Sequence, residues 1–243
     1  MNSNQDHQHT STDNNARKAR IHGALSSCAL FKGASATTLE SAALAGSYDV
    51  VPRGKPIVQQ GAQATSLTVI ARGRARVERS LISGNVLPLG YRGAGDVAGE
   101  SALVGTENYT ENVVAMDDSD VVRVPVSAMT SIMRGDPAIA QALVNIVLQR
   151  QAEAEDRLTS LLFRPVEGRV VEFLLRAAER WGVEDSRGIL ISAPITHLEV
   201  AKVIGSTRET VTVTLGILRR DGLLAAAGRR LIVVDRQALA KRK

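Results

Sequence analysis

The chain of 243 residues holds one cysteine, Cys28. This excludes an intramolecular disulfide framework and any four-cysteine cluster, and it fits a cytoplasmic protein. No apolar run reaches the roughly 18–20 residues that span a bilayer. The N-terminus is polar and does not read as a signal peptide, so no membrane association is expected. No Gly-x-Ser-x-Gly, Walker loop or metal-ligand cluster occurs. No catalytic set can be named, so neither an enzyme nor a metal site is expected. What remains is an ordinary globular composition, 44% apolar and 23% charged, in a length sufficient for two modest domains.

Positive charge is unevenly placed. Up to Phe163 there are fifteen basic and sixteen acidic residues, and from Arg164 onward fifteen basic and nine acidic, so the halves carry −1 and +6. The basic excess sits in the C-terminal part, where phosphate contacts would use it.

Residues 1–20 are mostly Asn, Gln, His, Ser and Thr and read as a disordered tail. Small helices follow to about residue 46, with Leu25, Leu30, Phe31, Leu39 and Leu44 as their apolar residues. From Tyr48 the texture changes to short β-branched runs: 48–51, 56–58, 67–70, 74–77, 86–91, 112–115 and 121–124. Gly-rich corners separate them, which predicts a compact antiparallel roll over 21–135. Asp136-Pro137 then opens a helix that runs to about Leu162, Asp serving as N-cap and Pro as first residue. At 1.5 Å per residue it is about 37 Å long. It has more apolar surface than one roll can cover, so residues 136–163 are expected to form a dimer seam through Leu143, Val147, Ala154, Leu158 and Leu161. Arg164-Pro165 marks a hinge before a C-terminal domain at 164–243.

The most informative stretch is Thr196–Arg220. Thr196 and Glu199 make a capping box for a first helix, whose apolar side is supplied by Leu198, Ala201, Val203 and Ile204. Gly205 permits a tight turn. A second helix begins near Ser206-Thr207, with Val211, Leu215 and Leu218 on one face. Thr207, Arg208, Glu209 and Thr212 cluster near its N-terminal end, the end a recognition helix pushes into the major groove. Arg can bind guanine O6 and N7, and Glu can accept from cytosine N4. A plain helical hairpin with a charged first turn is the alternative. The segment that follows favours the winged form of a helix-turn-helix. Asp221-Gly222-Leu223-Leu224 stops the helix, and residues 225–234 read as a short hairpin whose Arg229 and Arg230 sit where a wing meets phosphate. Ser206 and Lys202 complete the set of candidate DNA-binding residues.

Roll, long helix, hinge and winged helix-turn-helix occur in this order with Val58-Gln-Gln-Gly61, Leu67-Thr-Val-Ile-Ala-Arg-Gly73, Gly95-Asp-Val-Ala-Gly99-Glu100, Phe163…Gly168-Arg169 and Gly205-Ser-Thr-Arg-Glu-Thr-Val211. On these motifs residues 21–236 resemble the cyclic-AMP receptor protein / fumarate-nitrate reductase regulator (CRP/FNR) family of bacterial transcription factors. The resemblance implies an α+β fold: an N-terminal antiparallel β-roll of the cyclic-nucleotide-binding type, a long dimerisation helix and a C-terminal winged helix-turn-helix. It further implies a homodimer on a palindromic operator in double-stranded DNA, with RNA polymerase as a partner. Arg208 and Glu209 match the family's base-reading pair. A third base-contacting arginine falls here on Val213, so the operator half-site should differ from that of the cyclic-AMP receptor.

The family's phosphate cassette sets Gly-Glu about ten residues before Arg-Ser. Gly99-Glu100 is in place, but the arginine position falls on Tyr109 or Thr110, and no Arg or Lys occurs between Glu100 and Arg123. Glu107 and Glu111 add negative charge. The pair that reads adenine falls on Ala154 and Glu155. A missing charge-assisted contact costs roughly 1.5–3 kcal/mol, so cyclic AMP is not expected to act here unless Arg92 or Arg123 supplies the charge. The candidate pocket is Gly99, Glu100, Tyr109, Thr110 and Glu155. The open alternatives are no effector, a heterologous partner, or another nucleotide such as cyclic di-GMP. Iron–sulfur sensing lacks its cysteines, and haem sensing is poorly supported by His22 and His197.

Overall fold

The computed structural model describes residues 5–193 and 195–243. The chain divides into two compact units, residues 1–150 and 151–243.

The first unit opens with helix α1 (Gln5–Ser26). This replaces the expected tail up to residue 20; residues 1–4 of that tail lie outside the described residues. The run contains no proline, and its C-terminal turns are anchored. Ile21, Ala24 and Leu25 are buried, Arg17 donates to the Tyr48 carbonyl oxygen at 3.0 Å, and the Arg20 guanidinium lies 5.8 Å from the Tyr48 ring centroid. A 3-10 turn (Ala29–Phe31) and α2 (Ala36–Ala45) follow. Of the apolar residues of these small helices, Leu44 is exposed.

Eight strands build the roll: β1 (Ser47–Val51), β2 (Pro56–Val58), β3 (Ser66–Arg72), β4 (Arg74–Ser80), β5 (Val86–Gly93), β6 (Val97–Ala98), β7 (Asn112–Ala115) and β8 (Ser119–Pro125). They form two antiparallel sheets, ordered β1-β8-β3-β6 and β2-β7-β4-β5. Alternation along β3 divides its side chains between two cores. Leu67 and Val69 join Leu25, Leu30, Phe31 and Met129 under the helices. Ile70 joins Ile57, Val77, Val113 and Val121 inside the roll.

Helix α3 (Val126–Gly135) leads to α4 (Pro137–Phe163). Asp136 stands at the junction, accepting from the Thr38 hydroxyl at 2.8 Å and from the Ala138 amide at 3.2 Å. Those bonds hold its carboxyl below the usual range. Leu143 does not belong to a seam as expected: with Ile139 it is buried in the core under the helices. The exposed apolar residues of α4 are Val144, Val147, Leu148, Leu158, Leu161, Leu162 and Phe163. Of these, Val144, Val147, Leu158 and Leu161 fall on a seven-residue repeat that starts from Val144 rather than Leu143. Ala154 is also exposed.

The boundary between the units falls inside α4, after Arg150, rather than at Arg164-Pro165. The last turns of α4 are bonded to α5 (Val166–Trp181). Glu172 of α5 is their common partner. It accepts from the Ser160 hydroxyl at 2.6 Å and lies 3.0 Å from Arg176, 3.4 Å from Lys243 and 3.6 Å from Arg164. Burial alone would raise its carboxyl, but Ser160, Lys243 and Arg176 together hold it below the usual range. Around α5 pack β9 (Gly182–Asp185), β10 (Gly188–Ile191), α6 (His197–Ile204), α7 (Arg208–Arg220), β12 (Arg230–Val233) and α8 (Arg236–Ala240), and β11 (Leu224–Ala227) packs on α7. The four strands form one antiparallel sheet, β11-β12-β10-β9.

One roll corner has no room for a side chain. Gly99 has φ 76°, and a Cβ there would lie 2.9 Å from Tyr109 Cε1 and 3.3 Å from the Ser66 carbonyl oxygen. Left-handed backbone costs a non-glycine residue about 1–2 kcal/mol, and forcing the ring aside adds about 1–3 kcal/mol. Gly99→Ala is expected to lower unfolding free energy by about 2–5 kcal/mol in urea denaturation; a loss under about 0.5 kcal/mol would show that the corner yields freely.

Candidate nucleic-acid interface

Helix α6 starts as its sequence requires. The Thr196 hydroxyl accepts from the Glu199 amide at 3.2 Å, and the Glu199 carboxylate accepts from the Thr196 amide at 2.8 Å, a complete capping box. Its buried residues are Val200, Ala201 and Ile204. Leu198, expected on the apolar side, is half exposed. Val200 takes its place because it lies one turn before Ile204. Gly205 turns the chain with φ 62°, and the Ser206 amide closes onto the Ala201 carbonyl oxygen at 2.9 Å. From α5, Arg169 donates to the carbonyl oxygens of Ile204 and Gly205, satisfying acceptors that a helix end leaves open.

Helix α7 is capped by Thr207, whose hydroxyl accepts from the Thr210 amide at 3.2 Å. Val211, Leu215 and Leu218 are fully buried, as their spacing predicts, and Thr214 is buried beside them. This fixes the rotation of the helix. Arg208, Glu209 and Thr212 are left exposed on its first turns, and Thr207 is exposed with them. Lys202 on α6 is exposed, and Ser206 is half-buried in the turn. Val213 is 63% exposed, so the position matched to a third base-reading arginine offers a short apolar surface. Strands β11 and β12 pair in register from Leu224↔Val233 to Ala227↔Arg230. Arg229 and Arg230 are exposed at their tip. The arrangement presents an arginine–glutamate pair and a basic hairpin tip, the groups that bind base edges and phosphates.

A second constellation lies in the roll. Gly99 precedes a 3-10 turn over Glu100–Val104. Glu100 pairs with Arg150 of α4, and Arg92 of β5 approaches the same carboxylate oxygen at 3.9 Å. Arg150 also donates to the Val97 carbonyl oxygen at 2.8 Å. Glu111 is the fourth charge. Burial, then the charge of Glu100, raises its carboxyl, while burial, then the charge of Arg150, lowers the Arg92 guanidinium. Among the described residues, Arg92 Nε, Glu100 Oε2 and Ser101 Oγ are buried without a hydrogen-bond partner.

The expected pocket is revised at several positions. Tyr109 is buried, and its hydroxyl donates to the Ser66 carbonyl oxygen at 2.7 Å and accepts from the Ser66 amide at 3.1 Å. It is a structural plug under Gly99. Thr110 is exposed, with its carbonyl oxygen taken by Arg79 at 3.2 Å. Glu155 accepts from Gln151 at 2.9 Å. Glu107 is exposed, so Glu111 alone of the two glutamates joins the cluster. Of the two arginines considered as substitutes, Arg92 faces Glu100. Arg123 bonds the Ile57 carbonyl oxygen at 2.8 Å and lies 3.8 Å from Asp49. Arg150 and Ser101 were not anticipated. Arg150 is fifty residues from its partner, and no local pattern announces that contact. Among the described residues no His/Cys/Asp/Glu group is arranged to hold a metal, and no helix is long and apolar enough to cross a membrane.

Both regions match known protein families. Residues 49–136 match the family model of the cyclic nucleotide-binding domain, and residues 168–242 that of the Crp-like helix-turn-helix domain. The transcriptional regulator LdrP of Thermus thermophilus is 30% identical over 191 residues, covering 78% of this chain and 93% of its own. A CRP-like cAMP-activated global transcriptional regulator of Mycobacterium tuberculosis is 26% identical, over 79% of this chain and 85% of its own. The crystal structure of a CRP-family transcriptional regulator from Thermus thermophilus superposes with a TM-score of 0.68 at 26% identity, over 80% of this chain and 95% of that one.

Proposed function

Because the chain belongs to the CRP/FNR family of transcription regulators, we propose that it acts in the cytoplasm as a homodimer on a palindromic operator, in contact with RNA polymerase, and that operator binding does not depend on cyclic AMP. The observation that carries the reading is the exposed Arg208-Glu209-Thr212 face of α7, together with the exposed basic tip of β11 and β12. The exposed heptad stripe of α4 supports the dimer. It is an apolar surface of the kind that a second α4 would cover, and two readers would then engage two half-sites at once.

Charge balance supports independence from cyclic AMP, for a reason different from the one the sequence suggests. The roll cluster does contain cations, but Arg92 and Arg150 are matched by Glu100 and Glu111. Arg150 is further committed to Val97. A cyclic phosphate therefore meets a neutral cluster, and a ligand shifts a two-state equilibrium only by its differential affinity for the two states. The three unpartnered atoms Arg92 Nε, Glu100 Oε2 and Ser101 Oγ favour a second reading, in which an effector of different chemistry, such as cyclic di-GMP, is sensed in or near the roll.

Arg208→Ala tests the interface. It is expected to cost about 1–3 kcal/mol on a selected operator and to relax discrimination at one base pair per half-site. Equal losses on operator and random duplex would reduce Arg208 to a phosphate contact. Leu158→Glu, which would put two like charges at the seam, should lower the dimer fraction in analytical ultracentrifugation and weaken operator binding with it; an unchanged dimer would remove the α4 stripe from the assembly. Titrating cyclic AMP into an operator-binding assay at fixed salt should change affinity by less than about tenfold, about 1.4 kcal/mol of coupling. A large saturable gain would make the roll a cyclic-AMP sensor.

A further inference from the structure

Thr212 lies on the exposed face of α7, yet its hydroxyl is already engaged twice. It donates to the Arg208 carbonyl oxygen at 2.8 Å and stands 2.8 Å from Nδ1 of His197 on α6. A hydroxyl has one hydrogen. With that hydrogen on the Arg208 carbonyl, Thr212 can only accept from the ring, so Nδ1 carries the ring proton. In the neutral ring Nε2 then bears a lone pair. Thr212 is thereby a positioning residue whose methyl group, rather than its hydroxyl, is free for a base.

Arg208, Thr212, Gly216 and Arg219 follow helical spacing down one side of α7, and His197 is bonded to the middle of that row. The charged groups that act on the ring from α7 are Arg219 and Arg208. On its own helix, Glu199 is turned to the Thr196 amide. A cationic ring in this row would extend the guanidinium surface that meets the DNA backbone.

We propose that His197 is a proton-dependent contact to the DNA backbone: the neutral ring holds Thr212 in place, and the imidazolium keeps that bond while its Nε2–H binds a phosphate oxygen. The proposal rests on the DNA-binding reading above. In the free protein, burial first and then the charges of Arg219 and Arg208 hold the ring below its usual pKa. In the complex, phosphates neutralise those arginines and reward the proton, so the ring's pKa rises. A group whose pKa rises on association takes up a proton, and affinity therefore increases as pH falls through the pKa of the complex and levels off below that of the free protein. The window lies around the histidine range.

Fluorescence anisotropy with an operator duplex selected from random DNA, at fixed ionic strength between about pH 6 and about pH 8, tests this. Wild-type affinity should be at least about fivefold higher at the acidic end, within the limit of about tenfold per pH unit per ring. His197→Gln keeps a donor for Thr212 but cannot titrate, and should flatten the profile. His197→Arg carries a fixed charge and should bind at every pH close to the acidic wild-type level. Thermal melting at each pH confirms that the variants are folded; if His197→Gln is not, the His197→Arg profile decides. A His197→Gln or His197→Arg profile as steep as the wild type's overturns the proposal, as does a flat wild-type profile with DNA binding intact. Absence of duplex binding at every pH would instead remove the DNA-binding reading itself.

Discussion

A buried carboxylate holds the reader to the end of the long helix. Glu172 gathers Ser160 and Arg164 from one side, Arg176 from its own helix and Lys243 from the end of the chain. An ionised carboxylate out of water is costly unless paired and hydrogen-bonded on all sides, and here one hydroxyl and three cations meet that demand. Removing Glu172 would leave three gathered cations without their shared carboxylate, so these groups act as a unit. Because α5 is also the helix on which α6, α7 and α8 pack, the carboxylate ties the end of the long helix to the element that carries the reader, while the buried Val211, Leu215 and Leu218 set the rotation of α7.

The roll solves a similar problem differently. Arg92 and Arg150 both turn to one oxygen of Glu100, Glu111 adds the second negative charge beside them, and the hydrogen bonding is incomplete. A buried polar atom left unpaired costs about 1–3 kcal/mol. The carboxylate cluster around Glu172 is thus matched on all sides, while the roll's retains donors and an acceptor without partners.

Much of this was legible locally. Asp136-Pro137 begins α4, Thr196 and Glu199 cap α6, and the apolar spacing of Val211, Leu215 and Leu218 fixes which side of α7 is hidden. Each rests on neighbours within one or two turns. The failures are non-local. Helix α1 draws its order from Tyr48 and the roll core, not from its polar composition. Strands β9 and β10 turn through Asp185, Ser186 and Arg187, where polarity hides the alternation. Leu143 and Val144 are adjacent, and only the packed structure decides which of them the roll takes. The pairing of Arg150 with Glu100 spans fifty residues.

Tyr109 bears on how such a regulator could change its signal. It is one of the two residues, with Thr110, on which the related cassette's arginine falls, but it has been built into the fold: its ring closes the space under Gly99 and its hydroxyl serves both backbone groups of Ser66. An arginine introduced there would orphan a buried amide and a buried carbonyl before any phosphate arrived to reward it. The route back to a phosphate-binding corner therefore passes through a less stable intermediate, and no single replacement at this corner is neutral.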